Sequence, residues 1–185
     1  NVFSKVLPFS TSVKQLEKFS PSGIILSGGP ASVLAKDAPK PDPALFRMGL
    51  PVLGICYGLQ LMGNMLGGKA ESSELREYGR GELETMRKGG LFKGLPPKFI
   101  VWNSHGDRLS KLPKGFRAVA SSENSEFAAI EDPKRRFYGL QFHPEVEHTD
   151  GGRELLHNFL QKICGCKADW RLDDFTKKTI LDLRD

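Results

Sequence analysis

The sequence predicts an α/β domain, because short apolar segments of strand length alternate with segments of helical character. Residues 22–27 and 51–55 are apolar and short, as buried strands are, and a helical stretch at 57–66 follows the second of them. The chain has 185 residues, of which 39% are hydrophobic and 26% charged, which suits one globular domain. We therefore expect strands and helices to pack around a single core.

The other helices and strands are predicted from the same periodic patterns and from glycine stops. Residues 43–49 are predicted to form a helix, and the 57–66 helix closes at Gly67. Residues 151–164 form a predicted helix with its apolar side chains on one face. Between 69 and 140 the pattern changes to several short strands separated by Gly and Pro turns. These strands are expected at 82–87, 99–102, 117–121, 128–131 and 137–142.

The net charge of +5 allows an anionic partner, but the distribution of charge does not favour one. Basic and acidic residues are mixed, and the one tight basic run, at 134–136, stands beside Asp132. A solvated turn explains that run better than a nucleic-acid patch. No apolar run approaches the ~20 residues of a membrane span, and residues 1–10 lack the features of a signal peptide. We expect neither a nucleic acid nor a membrane as partner.

Three cysteines argue against a disulfide framework and favour a reducing compartment. Cys164 and Cys166 form a C-x-C pair at the end of the predicted 151–164 helix. A metal-binding or redox pair is the alternative interpretation of that spacing. Such pairs usually have C-x-x-C spacing, and structural metal sites add a second ligand pair, so ordinary thiols at a helix end are the better interpretation.

Cys56 stands at a predicted sharp turn between the strand at 51–55 and the helix at 57–66. A side chain on such a turn projects outward, and the crowded backbone requires small residues two positions away on each side. Gly54 and Gly58 meet this requirement. The turn also places the sulfur at the positive end of a helix, which favours the nucleophilic thiolate. A buried core cysteine is the alternative, and the two flanking glycines favour a nucleophile over it.

A nucleophilic thiol needs a base, and His143 is the best candidate among the four histidines. Pro144 restricts His143 to an extended conformation, in which residues two apart point the same way. The imidazole would then lie beside the carboxylate of Glu145, which would fix its tautomer and stabilise its cation. His157 falls on the polar part of the predicted helix, and His148 lies in an acidic loop without an evident partner.

An attacked carbonyl develops negative charge, which backbone N–H groups can stabilise. One such group belongs to Tyr57, directly after Cys56. The loop 27–32 follows a predicted parallel strand and can bring a second N–H close, because its glycines do not obstruct the approach. A phosphate cradle is the alternative for this loop. We reject that alternative, because Pro30 removes an N–H donor and the loop has neither a lysine for phosphates nor an acidic residue for magnesium.

Three motifs together resemble the class I glutamine amidotransferases. They are Gly-Ile-Cys-Tyr-Gly-Leu-Gln at 54–60, Ser-Gly-Gly-Pro at 27–30 and Phe-His-Pro-Glu at 142–145. The resemblance extends over residues 20–170, and within the family the chain is most similar to the amidotransferase domains of GMP synthetases. The markers of that subfamily are Cys-Tyr-Gly at the turn and the runs at 76–79, 102–107 and 138–146.

The resemblance implies a three-layer, flavodoxin-like α/β fold. Its sheet would be mostly parallel and open, flanked by helices, with a small antiparallel β extension. A catalytic triad of Cys56, His143 and Glu145 is implied, with an oxyanion hole formed by Gly29 and Tyr57. The amino and carboxylate ends of the substrate would be held by four further positions: Gln60, Ser104, Gly106 and Asp107.

The resemblance also implies an activity. Cys56 would attack L-glutamine, and hydrolysis of the thioester would give glutamate and ammonia for the ATP-dependent amination of XMP to GMP. Amidotransferases of anthranilate, carbamoyl phosphate or CTP synthesis are alternatives within the enzyme class. A catalytically silent docking or regulatory module is the alternative outside it. His105 would be a loop residue rather than the base, and Gln141 and Arg76 would face structure or a partner.

The same resemblance predicts the domain organisation. Residues 1–168 would form the amidotransferase domain without the family's first strand and helix, and residues 1–4 resemble the strand that follows them. Residues 169–185 would be the linker and first helix toward an ATP-pyrophosphatase domain, on the same or a separate chain. That synthetase domain would be the partner that uses ATP and Mg²⁺, whereas the amidotransferase domain would need no cofactor. A homodimer through the synthetase part and a cytoplasmic location are further expectations.

Overall fold

The computed structural model describes residues 1–171, apart from the side chains at positions 74 and 75. The helix predicted at 173–184 lies outside these described residues. A mixed sheet forms the centre of the described part. Its strands are β1 Ile24–Leu26, β2 Val52–Ile55, β3 Lys69–Thr85, β4 Lys98–Lys111, β5 Arg117–Ser121, β6 Ala129–Asp132 and β7 Phe137–Leu140. They lie in the order β1-β2-β7-β6-β5-β3-β4.

The sheet has a parallel part and an antiparallel part. Strands β1, β2 and β7 are parallel, with Leu26, Gly54 and Gly139 side by side. The pairs β7–β6, β6–β5, β5–β3 and β3–β4 are antiparallel. Because the carboxyl ends of parallel strands meet at one edge of a sheet, the loops that follow β1, β2 and β7 lie next to one another.

The helical segments of the described residues are short. The α-helices are α1 Val13–Glu17, α2 Tyr57–Met65 and α3 Gly152–His157, and α3 continues directly as a π-helix at Asn158–Ile163. Two 3₁₀-helices lie at Pro43–Arg47 and Gly90–Phe92. Helix α1 begins with a capping box, in which the side chains of Ser12 and Gln15 satisfy each other's backbone N–H groups.

Helix α2 lies close to the sheet because glycines provide the room. Leu59 and Met62 are fully buried. A Cβ at Gly139 of β7 would lie 2.7 Å from Leu59, and a Cβ at Gly63 would lie 2.6 Å from Leu109 of β4. Burial of each large apolar side chain contributes roughly 1.5–3 kcal/mol. The close approach fixes the start of α2 against the end of β2.

The two faces of the sheet carry separate apolar clusters. Leu53 of β2 packs in one cluster with Leu155 and Phe159, which belong to α3 and its π-helical continuation. Its neighbour Val52 packs in another cluster with Met62 of α2. Since successive residues of a strand point to opposite faces, helices cover the sheet on both sides. The described residues therefore form three layers, as predicted.

The α/β class is confirmed, and the proportions of the sheet differ from the expectation of a mostly parallel sheet. The antiparallel part is the larger one, chiefly because β3 and β4 are much longer than the predicted strands at 82–87 and 99–102. Residues 71–80 are mostly polar, so their sequence pattern did not predict a strand. They pair with β4 through backbone hydrogen bonds, which do not require apolar side chains where the face of the strand is exposed. Residues 1–4 form no strand in the structure.

Candidate active site

The loops after the three parallel strands bring the predicted residues into one cleft. The loop 27–32 follows β1, Cys56 follows β2 and His143 lies three residues after the end of β7. The cleft has a volume of about 830 Å³, and β3 and β4 supply the wall opposite these loops. Its lining includes every predicted site residue: Cys56, His143, Glu145, Gly29, Tyr57, Gln60, Ser104, Gly106 and Asp107.

Cys56 has a backbone conformation that residues with a side chain rarely adopt, with φ 49° and ψ −106°. Its N–H donates to the carbonyl oxygen of Leu140 on β7 at 2.7 Å. Such strain costs about 1–3 kcal/mol and persists only where the surroundings impose it. The predicted sharp turn is therefore present between β2 and α2.

Gly54 and Gly58 are required by the space around this turn. A Cβ at Gly58 would lie 2.0 Å from the carbonyl oxygen of Leu26 on β1. A Cβ at Gly54 would lie 2.6 Å from the backbone of Gly58. Both obstacles are backbone atoms, which cannot move aside as a side chain can. The small residues predicted on each side of Cys56 are thus needed for the helix to start where it does.

The sulfur of Cys56 is buried among polar groups at the start of α2. Its Sγ lies 3.6 Å from the carbonyl oxygen of Ser104 on β4. The side-chain amide of Gln141 lies 4.0 Å from the sulfur. The cysteine occupies the N-cap position of α2, where the helix dipole favours negative charge. The resemblance implied that Gln141 faces structure or a partner. In the structure its side-chain amide instead lies next to the sulfur of Cys56.

The backbone of His143 is fixed to β4 from both sides. Its N–H donates to the carbonyl oxygen of Trp102 at 3.0 Å. Its own carbonyl oxygen accepts from Oγ1 of Thr149 at 2.6 Å, and the same Oγ1 accepts from the N–H of Trp102 at 3.0 Å. Thr149 therefore bridges the His143 segment and β4. Its role was not predicted, because it depends on contacts between distant parts of the chain.

The imidazole of His143 lies between a thiol and a carboxylate. Nδ1 lies 2.7 Å from Oε1 of Glu145, as the extended His-Pro-Glu segment predicted. Hydrogen bonds with Cys56 and with Glu145 raise the pKa of His143 to about 10, although burial opposes the charge. Burial would raise the pKa of Glu145, but the hydrogen bond and the charge of His143, together with a backbone hydrogen bond, outweigh burial and lower the pKa. The pair is therefore an imidazolium with a carboxylate at neutral pH.

The glycine loop after β1 has one crowded and one open position. A Cβ at Gly28 would lie 2.9 Å from Cε1 of His143 and 3.7 Å from Cβ of Cys56. A Cβ at Gly29 would have no atom within 4 Å, apart from its neighbours in the chain. Gly28 is thus the position that lets the loop approach the reactive side chains. The resemblance implied Gly29 for the oxyanion hole, and the sequence alone could not show which of the two adjacent glycines is crowded.

Gln60 and Asp107 are joined across the cleft. The side-chain amide of Gln60 donates to the carbonyl oxygen of Asp107 at 2.6 Å, and Gln60 is 3% exposed. The carboxylate of Asp107 accepts a hydrogen bond from the hydroxyl of Ser32. Ser32 was not predicted as a site residue, because its partner lies far along the chain. These bonds connect α2 and the glycine loop to β4.

His105 corrects one expectation. It lies within β4 rather than in a loop, and its side chain is buried. Its ring contacts the carboxylate of Glu77 on β3 instead of Cys56. Arg76, expected to face structure or a partner, contributes to the lining of the cleft.

The two other cysteines lie away from the cleft. Cys164 and Cys166 are free thiols, like Cys56, and follow the π-helix. Burial, together with the nearby Cys166, raises the pKa of the Cys164 thiol to about 12, which makes it a poor nucleophile. Among residues 1–171, no group of three or more His, Cys, Asp or Glu side chains is arranged to hold a metal ion. No helix in that range is long and apolar enough to cross a membrane.

Comparison with known proteins identifies the family. The model of the family "Glutamine amidotransferase class-I" matches residues 1–163, and the chain belongs to this family. A relative from Syntrophomonas wolfei named GMP synthase (glutamine-hydrolyzing) is 50% identical over 184 residues, and a relative of the same name from Enterococcus faecalis is 46% identical over 184 residues. Both alignments cover 100% of this chain but only 36% and 35% of the relatives. The chain thus spans about a third of their length.

Solved structures show the same fold. A protein from Thermoplasma acidophilum, provisionally assigned as one subunit of a GMP synthase, has a TM-score of 0.73 at 29% identity, over 87% of this chain and 80% of that one. A glutamine amidotransferase from Thermotoga maritima has a TM-score of 0.62 at 23% identity, over 92% of this chain and 68% of that one. The second likeness shows the fold alone. The family fold expected from the motifs is confirmed.

Proposed function

We propose that this domain hydrolyses L-glutamine to glutamate and ammonia through a thioester on Cys56. The observation that carries the proposal is the 2.7 Å contact between His143 and Glu145, beside a cysteine on a strained turn. In this proposal Cys56 is the nucleophile, His143 carries the proton and Glu145 orients the imidazole. Membership of the glutamine amidotransferase family supports the reaction class.

The first half of the proposed reaction forms the thioester. The sulfur of Cys56 attacks the side-chain carbonyl carbon of glutamine, a C–S bond forms, and negative charge develops on the carbonyl oxygen. The N–H groups of Tyr57 and Gly29 stabilise this charge, and loss of one such donor typically costs roughly 3–4 kcal/mol. His143 then gives its proton to the departing nitrogen, the C–N bond breaks and ammonia leaves. A glutamyl thioester remains on Cys56.

The second half releases glutamate. His143 is now neutral and takes a proton from a water molecule while the water oxygen attacks the thioester carbon. The tetrahedral intermediate collapses, the C–S bond breaks and the thiolate of Cys56 returns beside a protonated His143. A positioned acid or base of this kind typically contributes about 10² to 10⁴ in rate. Glu145 keeps Nδ1 occupied, so the other ring nitrogen serves the sulfur and the water.

The amino and carboxylate ends of glutamine would bind along β4. We propose contacts from the backbone around Ser104, Gly106 and Asp107, which line the cleft. The Gln60 amide already donates to the carbonyl of Asp107, so its proposed role is to fix this wall. Substrate contacts from these three positions on β4, with Gln60 fixing the wall, would hold the side-chain amide against Cys56.

We also propose that the ammonia serves the ATP-dependent amination of XMP to GMP. The names of the relatives at 50% and 46% identity support this role, and the length that this chain does not cover leaves room for a synthetase part. That part, which residues 169–185 would enter, would bind ATP and Mg²⁺ and would also carry a homodimer contact. Unpaired thiols at all three cysteines agree with a cytoplasmic location.

Active-site labelling tests the glutaminase proposal. A chloroketone analogue of glutamine should alkylate Cys56 and leave Cys164 and Cys166 unmodified, as peptide mass spectrometry can measure. The two other thiols serve as controls within the same chain. Absence of labelling at Cys56, with an intact circular dichroism spectrum, would instead favour a catalytically silent docking module.

A reconstitution assay tests the pathway. The chain is mixed with the synthetase parts of GMP, anthranilate, carbamoyl phosphate and CTP synthesis, and each product is measured with glutamine as the nitrogen donor. GMP formation alone is expected. Formation of another product, without GMP, would assign the domain to that pathway.

A further inference from the structure

A buried contact between a histidine and a carboxylate on the β3–β4 ladder has no role in the proposed reaction. His105 on β4 and Glu77 on β3 are directly opposite in the register. Their side chains are 3% and 9% exposed, and Nε2 of His105 lies 3.0 Å from Oε2 of Glu77. Ionisable side chains are almost never buried this far unless they are paired. The pair lies next to the segment on which substrate is proposed to bind.

The pair also stands at a break in the ladder. Glu77 pairs with His105, but the next pair along is Ser72 with Asp107, so residues 73–76 of β3 lie opposite Gly106 alone. A bulge of this kind interrupts the regular backbone hydrogen bonds between two strands. Gly106, in the middle of the segment 104–107 that borders the cleft, therefore has no register partner on β3.

Side chains hold the segment at its Asp107 end. The amide of Gln60 donates to the carbonyl oxygen of Asp107 at 2.6 Å. The hydroxyl of Ser32 donates to the carboxylate of the same residue. This end is thus anchored to α2 and to the glycine loop.

The His105–Glu77 pair holds the other end. Oε1 of Glu77 accepts from the hydroxyl of Ser122 at 2.9 Å, and the carboxylate also accepts from the backbone of Asn124. Burial would raise the pKa of Glu77, but the contacts with His105 and Ser122 outweigh it and lower the pKa. Oε2 lies off the direction of the ring N–H, since neither ring nitrogen of His105 has an aligned hydrogen bond among the described residues. The anchored carboxylate therefore limits where the ring can lie.

Displacement of the His105 ring would shift the two neighbouring residues, Ser104 and Gly106, which are proposed to bind substrate beside Cys56. Ser104 immediately precedes His105, and its carbonyl oxygen lies 3.6 Å from Sγ of Cys56. Gly106 follows directly and borders the cleft. Glu77 does not line the cleft that contains Cys56; together with Ser122 it lines a second polar cleft of about 510 Å³. Glu77 thus acts through His105 and has no direct path to a substrate.

We infer that His105 and Glu77 are positioning residues that set the substrate-binding segment 104–107 against Cys56. The inference rests on the proposed function, since it assigns the pair to glutamine recognition. It predicts a defect in binding glutamine with little change in the intrinsic reactivity of the sulfur.

The test compares Glu77→Gln with the wild type. The KM for glutamine should rise by about tenfold, as expected when a buried polar contact is lost, while kcat changes by less than about threefold. Labelling of Cys56 by the glutamine chloroketone should slow to a similar extent, whereas labelling by iodoacetamide, which needs no recognition, should keep its rate. The double variant Glu77→Gln with His105→Gln, in which two amides can bond to each other, should recover part of the KM.

A matched control is Glu131→Gln. Glu131 forms a cross-strand ion pair with Arg117, directly opposite in the β5–β6 register and outside the lining of the cleft. This variant should keep the wild-type KM and labelling rates. A similar KM increase in Glu131→Gln would overturn the inference, because it would show a general effect of removing a paired carboxylate from the sheet.

Other outcomes separate this inference from the proposed function. A wild type that neither hydrolyses glutamine nor reacts with the chloroketone would contradict the function itself. An active wild type together with a folded Glu77→Gln of unchanged KM would overturn the positioning role alone. Should Glu77→Gln fail to fold, Ser122→Ala removes one bond to Glu77 and should raise KM in the same direction. An unchanged KM in that variant would also overturn the role.

Discussion

His143 lies between a thiol and a carboxylate, and both neighbours favour its protonated form. Hydrogen bonds with Cys56 and Glu145 raise its pKa to about 10, so the imidazole carries a proton at neutral pH. An imidazolium beside a sulfur stabilises the thiolate and is ready to protonate a leaving amine. The residue predicted from the sequence as a general base would thus begin the cycle as an acid and become a base only after ammonia has left.

The free energy of unfolding should fall as the pH rises from about 6.5 to about 10. The unfolded chain releases the His143 proton near pH 6.5 and the native state near 10, so the native state binds more protons throughout this window. The contribution is complete below pH 6.5 and is lost as the pH passes through 10, and we expect roughly 2–3 kcal/mol after allowance for solvent screening. Denaturant titrations across this range measure it.

Two variants control that measurement. In His143→Gln the fall should be absent, since no group titrates at this position. In Glu145→Gln it should be smaller, because the bond to Cys56 remains while the carboxylate is gone. The same pH dependence in all three proteins would contradict the assigned charge state.

The junction of β2 and α2 depends on backbone atoms that approach one another closely. Replacement of Gly58 by Ala would place a Cβ 2.0 Å from the carbonyl oxygen of Leu26. We predict that Gly58→Ala lowers the free energy of unfolding by about 1–3 kcal/mol, the usual cost of overpacking, because α2 must move away from β1. Thermal or chemical denaturation measures the loss, and chloroketone labelling of Cys56 should fall with it.

Gly29→Ala is the matched control for stability. Its Cβ would enter open space, so the free energy of unfolding should change by less than about 1 kcal/mol. Equal destabilisation by Gly29→Ala and Gly58→Ala would show that the contact with Leu26 does not constrain the turn.

Thr149 connects the His143 segment to β4 through one hydroxyl. Thr149→Val keeps the shape of the side chain but leaves the N–H of Trp102 and the carbonyl of His143 without that partner. We predict a loss of about 1–3 kcal/mol in the free energy of unfolding and a lower kcat, since the imidazole is no longer fixed. Thr149→Ser keeps the hydroxyl and should retain most of the stability and activity. Equal effects of Val and Ser would show that the methyl group matters instead.

The cysteine turn and the His-Pro-Glu segment could be predicted because their requirements are local. Gly54 and Gly58, two positions on each side of Cys56, indicate that the backbone around it is crowded. Pro144 favours the extended backbone that aligns His143 with Glu145. The long β3–β4 hairpin could not be predicted in the same way, since most residues at 71–80 are polar. The pair of His105 and Glu77 could not be predicted for the same reason, because their contact follows from the pairing of β3 with β4.

In the proposed function, the whole molecule would have to deliver ammonia in a reactive form. Free ammonia at neutral pH is mostly ammonium, which has no lone pair for attack. A domain that spans 36% of a relative named GMP synthase would therefore work best when joined to the part that consumes the ammonia. The antiparallel part of the sheet also borders the cleft through β3, where Tyr78 is 65% exposed.

Isotope competition tests this delivery. The domain is joined to a GMP synthetase part, and amide-¹⁵N glutamine is supplied together with an excess of unlabelled ammonium. We predict that most of the GMP carries ¹⁵N, because ammonia passes on without mixing with bulk solvent. Mass spectrometry of GMP gives the ratio, and a variant with Cys56→Ala, supplied with the same mixture, should give unlabelled GMP. Labelling that follows the bulk ammonium pool in the wild type would contradict direct delivery.

The most direct measurement is to trap the covalent intermediate. The wild type is mixed with glutamine, quenched in acid within the first turnover and digested, and the Cys56 peptide is weighed. We predict a glutamyl group on Cys56, none on Cys164 or Cys166, and none on the corresponding peptide of Cys56→Ala. Glutamate release at the wild-type rate by Cys56→Ala, or a glutamyl group on another residue, would contradict this prediction.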